Sequence, residues 1–361
     1  MNHVKSLDGL RGIAVSLVVV FHFGIFSPGW VGVQIFFVLS GYLITSILLR
    51  ESERPLGEYM GRFYWRRSLR IFPLYFIYLA ACCAIFISIG EPRSFASDWP
   101  FLATYTANFG RLRESDIGPA FVHLWSLAVE EQFYLLWPLL VYFLPLSRFK
   151  QVVAALLILG PLIRLGLYFA FRGHDAEWIG RNIYGLPISQ FDAFAAGAAV
   201  VLWKLDRLRN AGRWLIAGIV VLGICGFAVL LHDHYFHKSA AKASLGYSMY
   251  LLSCWGFVWG YSLLNLVSAL GIACALQSKL GFLENFALVR VGVISYGIYV
   301  YHVPLGLILR NAGLSAPLEF LLYFPLVLLV SELSFRFVET PFLGLKDRWP
   351  LGKLYRAPEI S

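Results

Sequence analysis

Apolar runs of roughly 20 residues recur along this chain, each long enough to cross a ~30 Å hydrocarbon core as a helix. Such a chain has few structural options. Backbone N–H and C=O groups inside lipid must be paired within their own segment, as they are in an α-helix. The 361 residues are 59% hydrophobic and only 14% charged, with a mean hydropathy of +0.69. Soluble domains carry about 25% charged residues, so composition agrees with the patterning. Ten spans are expected, at about 8–27, 30–49, 70–90, 121–144, 151–171, 185–203, 213–232, 245–276, 288–309 and 316–338. The eighth is long enough to be tilted or to break near Gly260. Segment 97–113 is too short and too polar to span and reads as re-entrant or interfacial. The expected fold is all-α, a polytopic transmembrane helical bundle.

Loop charge sets the expected orientation. With the N-terminus inside, inner segments hold 20 of the 30 lysines and arginines, outer loops hold eight, and Arg11 and Arg164 lie within spans. That bias, with an even span number, predicts both termini in the cytoplasm. The net charge of +9 therefore belongs to cytoplasmic loops. No basic block is interleaved with polar sequence, so no nucleic-acid partner is expected. Cys82, Cys83, Cys225, Cys254 and Cys274 all lie in apolar runs. Without metal-ligand or disulfide spacing they read as buried free thiols, and no metal is expected.

Ionisable residues inside spans are costly and are functional candidates by default. In "LDGLRGIAVSLVVVFH", Arg11 and His22 are eleven residues apart, which places them on one helix face and ~16 Å apart along the axis. In "FYWRRSLRIFPLYF", Arg66, Arg67 and Arg70 lead into the third span, and guanidinium forks suit phosphate. In "HLWSLAVEEQFYLLWP", His123, Ser126 and Glu130 share a face, and counting helix rise puts Glu130 at a depth comparable to His22. In "SYGIYVYHVP", Ser295, Tyr299 and His302 form a polar stripe. Arg164 and Asp192 are expected to form a structural ion pair. The set suggests chemistry that links a cytoplasmic, phosphate-bearing donor with an acceptor reached from the opposite side.

These segments, with "GVQIFFVLSGYLI" and "ETPF", occur in one order over nearly the whole chain, and in that order the chain resembles the membrane-bound acyltransferase family 3. These are bacterial integral-membrane O-acyltransferases of surface carbohydrates. The resemblance implies acyl transfer at the Arg–x10–His pair Arg11 and His22. It matches the family's membrane-flanking arginines to Arg66, Arg67 and Arg70, and its "WSLxxE" glutamate to Glu130. It also implies an acetyl-CoA or other acyl-CoA donor and a sugar hydroxyl as acceptor. The bacterial cytoplasmic (inner) membrane is the implied location. An acyltransferase domain is expected over 1–340, with a short cytoplasmic tail over 341–361. Members often carry arginine where this chain has Gln190, two places before Asp192. Some also carry a C-terminal esterase-like domain, so a separate extracytoplasmic transfer partner is a possible requirement.

On this reading Arg11, Arg66, Arg67 and Arg70 hold the donor phosphates. His22 acts as general base or takes the acyl group covalently, and Glu130 orients the imidazole. His123, Ser126, Ser295, Tyr299 and His302 are candidates for acceptor binding or oxyanion stabilisation. Two alternatives remain open: a macrolide or other small-molecule hydroxyl as acceptor, and a transporter or flippase of lipid-linked sugars. Inverted repeats or paired broken helices would favour the transporter, and the sequence displays neither.

Overall fold

The computed structural model describes residues 4–88, 90, 92–112, 117–237, 242–346 and 348, and every regular element among them is helical. The α-helices are α1 (Lys5–His22), α2 (Val31–Glu51), α3 (Leu56–Ser88), α4 (Pro92–Ala103) and α5 (Ala107–Gly110). They continue with α6 (Trp125–Phe143), α7 (Leu146–Phe171), α8 (Ala176–Gly185), α9 (Phe191–Leu202) and α10 (Ala211–His232). The last are α11 (Gly256–Leu276), α12 (Phe286–Val293), α13 (Ser295–Asn311), α14 (Ala316–Ser334) and α15 (Thr340–Leu343). Most of the expected tail, 341–361, lies outside the described residues.

Among the described residues, six helical segments are long and apolar enough to cross a membrane, or seven if the bent pair α12–α13 counts as one. Ten were expected, and the differences have local causes. Helix α1 carries Lys5, Asp8 and Arg11, and α6 carries Glu130, Glu131 and Gln132, which dilute their apolar character. The expected sixth span is interrupted at Leu186, which is extended, and at Pro187. Its remainder, α9, has 12 residues, or ~18 Å of helix. The eighth breaks ahead of Gly260. Leu245, Tyr250, Leu251, Cys254 and Trp255 all have positive φ, and continuous helix starts only at Gly256. The ninth breaks at Ile294 (φ −92°, ψ 10°), where α12 and α13 meet at a 74° bend. Segment 97–113 forms parts of two short helices, α4 and α5. There Tyr105 stacks on Tyr75 of α3, with ring centroids 4.3 Å apart.

Small residues let the central helices touch. A Cβ on Gly41 of α2 would stand 2.0 Å from Phe194 O, and one on Gly197 of α9 would stand 1.9 Å from Val38 O. Helices α1 and α12 meet the same way, with Gly292 against Asp8 O. Such close approach gives dense dispersion contact, which drives association where lipid is as apolar as the side chains. The outer helices differ: 11% of the apolar window of α10 is buried, against 67% for the segment containing α2.

The expected ion pair stitches this core together. Arg164 is fully buried and binds both oxygens of Asp192, at 2.9 and 2.8 Å. It also donates to Ser189 O (2.6 Å) and Ser262 Oγ (2.7 Å), joining α7, α9 and α11. Gln190 faces elsewhere, accepting from Gln34 Nε2 at 2.9 Å. All five cysteines are free, but only Cys82 and Cys274 are buried; Cys83, Cys225 and Cys254 are partly exposed.

Candidate active site

Helix α1 carries two of the expected site residues at different levels. Arg11 lies in its second turn, with Asp8 Oδ1 3.2 Å from its Nη1. It lines a cavity of about 800 Å³, open space at the mouth included. Helical spacing brings further groups to the same cavity. Arg67 and Arg70 come from α3, Ser126 and Glu130 from α6, and Ser295 and Tyr299 from α13. The break at Ile294 makes Ser295 the first residue of α13, at the level of the arginines. Three guanidiniums thus share a space with one carboxylate, Glu130.

That carboxylate is not where helix counting puts it. Both the Ser40 hydroxyl of α2 and the Tyr134 hydroxyl donate to Glu130 Oε1. The Arg67 guanidinium carbon stands 5.1 Å from the centre of the Tyr134 ring, within cation–π range. The expected contact between Glu130 and the His22 imidazole is replaced by these. The cause is the early end of α1, which puts His22 at a helix terminus while Glu130 is already in the second turn of α6. Helix α1 stops at His22 itself, whereas α6 starts only at Trp125, so equal depth does not follow from equal counts.

His22 meets a second histidine instead. Its Nδ1 lies 3.2 Å from His302 Nε2 and 3.0 Å from Val18 O. His302 Nδ1 in turn lies 2.7 Å from Tyr299 O. His123 completes the group: its ring packs edge-on against His302 at 5.1 Å, and its Nε2 lies 3.2 Å from Val300 O. None of the three histidines lines the arginine cavity. Among the described residues no three of His, Cys, Asp and Glu are grouped to hold a metal ion.

Tyr299 and Ser126 connect the two regions. The Tyr299 hydroxyl donates to His123 O at 2.7 Å, and it is also hydrogen-bonded to Ser126 Oγ. With the tyrosine proton on a carbonyl, Ser126 is the donor of the second bond. Neither hydroxyl proton is then left to face an oxyanion in the cavity. Arg66 departs from expectation too. The stripe of α3 on the cavity is Arg67, Arg70 and Ile71, while Arg66 lines a smaller pocket with Glu51, Tyr59 and Arg62.

Three polar cavity groups, Ser40, Tyr134 and Tyr296, were not anticipated from sequence. Tyr134 follows Glu130 by four residues, so helical spacing alone was a sufficient signal for it. Ser40 sits inside an apolar run, and nothing local marks it.

Comparison with known proteins gives the family. O-acetyltransferase OatA of Staphylococcus aureus is 28% identical over 364 residues, covering 94% of this chain and 57% of that protein. Peptidoglycan O-acetyltransferase OatA of Listeria monocytogenes is 29% identical over 399 residues, covering 97% of this chain and 60% of that protein. The chain therefore spans a little under two thirds of the length of these relatives. No solved structure matches it. An acyltransferase-domain family model, Acyl_transf_3, matches residues 4–335. That range holds both the arginine-lined cavity and the three histidines, and the chain belongs to the membrane-bound acyltransferase 3 family.

Proposed function

We propose that the chain transfers an acyl group, acetyl in the first instance, from acyl-CoA to a hydroxyl of a cell-envelope carbohydrate. One observation carries the reading. Three arginines face one cavity that Tyr299 also lines, and the helix of Tyr299 brings His302 into contact with His22. Guanidinium forks bind phosphate oxygens in pairs, so Arg11, Arg67 and Arg70 hold the donor's charged end. Its flexible arm runs along α1 toward His22. The names of the two relatives, O-acetyltransferase and peptidoglycan O-acetyltransferase, support acetyl as the group and carbohydrate as the acceptor. The loop-charge bias supports a cytoplasmic arginine end and both termini cytoplasmic, in a bacterial cytoplasmic membrane.

In the transfer step the acceptor hydroxyl oxygen attacks the thioester carbonyl while His22 Nε2 takes the hydroxyl proton. The C–S bond then breaks, and the proton passes from His22 to the leaving thiolate. General-base catalysis of this kind contributes about 10²–10⁴-fold. Purified His22→Ala in lipid nanodiscs should therefore lose acetyl transfer by about that factor, while CoA binding and thermal stability hold. Wild-type transfer by this variant overturns the proposal.

The broken helices at Ile294 and at 245–255 are also a feature of transporters. The same assay separates the readings, because a flippase forms no acetylated product in nanodiscs.

A further inference from the structure

Among the three imidazoles, exposure and hydrogen bonding divide the roles. His302 and His123 are buried, at 0% and 1% exposure, whereas His22 is only partly buried. The partners of each ring assign its protons, because a carbonyl oxygen accepts and never donates. His302 Nδ1 faces Tyr299 O at 2.7 Å and Ile298 O at 3.2 Å, so Nδ1 carries hydrogen. An imidazolium buried without a carboxylate partner is costly, and Glu130 is engaged by Ser40 and Tyr134 instead. His302 is therefore neutral, and its Nε2 presents a lone pair. The atom facing that lone pair at 3.2 Å is His22 Nδ1. Val18 O, 3.0 Å away, demands the same proton there. His22 is then the Nδ1–H tautomer, and its Nε2 carries the free lone pair.

We propose that His302 is the positioning residue of the transfer. It accepts the Nδ1–H of His22 and is itself oriented by Nδ1–H donation to Tyr299 O. Together these fix the tautomer whose Nε2 receives the acceptor's proton. Which nitrogen of a catalytic histidine is protonated is set by the partner of the other nitrogen, and in hydrolytic triads that partner is a carboxylate. Here a neutral imidazole takes that place, carried on α13 three residues beyond the cavity-lining Tyr299. Val18 O already serves the helical hydrogen bonding of α1 and lies on the same helix, so it orients the ring weakly on its own. The inference rests on the proposal that His22 handles the proton.

The test uses the full chain, ¹⁵N-histidine-labelled in lipid nanodiscs, with acetyl-CoA as donor. The His22 signals are assigned by their loss in His22→Ala. In the wild type, His22 should show the nitrogen shifts of the Nδ1–H tautomer. In His302→Leu that tautomer should give way to Nε2–H, with kcat falling about 10²-fold and the acetyl-CoA KM staying within about twofold. His302→Gln, whose Oε1 accepts and whose amide donates, should keep the Nδ1–H tautomer and stay within about tenfold of wild-type kcat. An unchanged tautomer and kcat in His302→Leu overturns the inference. So does an Nε2–H tautomer in the wild type, a result that does not depend on His302→Leu folding. The two proposals fail separately. Activity in His22→Ala removes the functional reading, whereas an inactive His22→Ala beside a fully active His302→Leu removes only the role of His302.

Discussion

Arg164 and the trio Arg11, Arg67 and Arg70 lie within the bundle in different settings, and the difference between them separates structure from chemistry. Arg164 is saturated: one carboxylate binds it through both oxygens, a serine hydroxyl and a backbone carbonyl accept further bonds, and it is fully buried. Arg11, Arg67 and Arg70 share an open cavity in which Glu130 is already engaged by two hydroxyls. A guanidinium in low dielectric is tolerated when its charge is matched. The first setting matches it internally and leaves no room for a ligand. The second concentrates positive charge around open space, as an anionic ligand requires.

Breaking the first setting should have the largest effect on stability. Removing one partner of a buried pair costs about 3–5 kcal/mol. Arg164→Met should therefore lower Tm and the yield of folded protein in detergent, and Arg164→Met/Asp192→Leu should recover most of the loss. An unchanged Tm in the single variant would erase the distinction drawn here.

In the second setting the effect should move from stability to binding. Arg67→Ala and Arg70→Ala should leave Tm near wild type. Each should raise the acetyl-CoA KM roughly tenfold or more, from a loss of about 1.5–3 kcal/mol in charged hydrogen bonding. An unaltered KM in both would mean that the donor phosphates bind elsewhere. Tyr134→Phe removes one of the two donors to Glu130 and should lower kcat/KM several-fold, at about 1–2 kcal/mol. The smallest effect is expected for Arg66→Ala, within about 0.5 kcal/mol in both Tm and donor binding. A large rise in KM there would extend the site beyond the cavity and blur the line between Arg66 and its neighbours.

How much was legible in advance depended on the range of the interaction. The Arg67 and Arg70 stripe, the Ser126–Glu130 face and the Ser295–Tyr299 pair all follow from helical spacing within one segment, and each reaches the cavity. The Arg164–Asp192 pair was also anticipated, since two opposite charges in neighbouring apolar segments have few other partners. The break in the eighth span was anticipated only as one of two options, near Gly260, and those at Leu186 and Ile294 were not. Hydropathy averages over a window, whereas these breaks are single-residue dihedral choices inside runs that remain apolar throughout.

By itself the sequence determined an all-helical membrane bundle, the family and the faces on which its costly residues lie, because hydropathy and the 3.6-residue period are local properties. Only the tertiary structure decided which of those faces meet. His22 and His302 are 280 residues apart, and Ser40 and Glu130 are 90 apart. Packing of α1 against α13 and of α2 against α6 brings each pair together. That packing gave Glu130 to the arginine cavity and His302 to His22. Depth counted from the expected span ends could not foresee this, because helix ends are set by breaks and by close backbone contacts between distant segments.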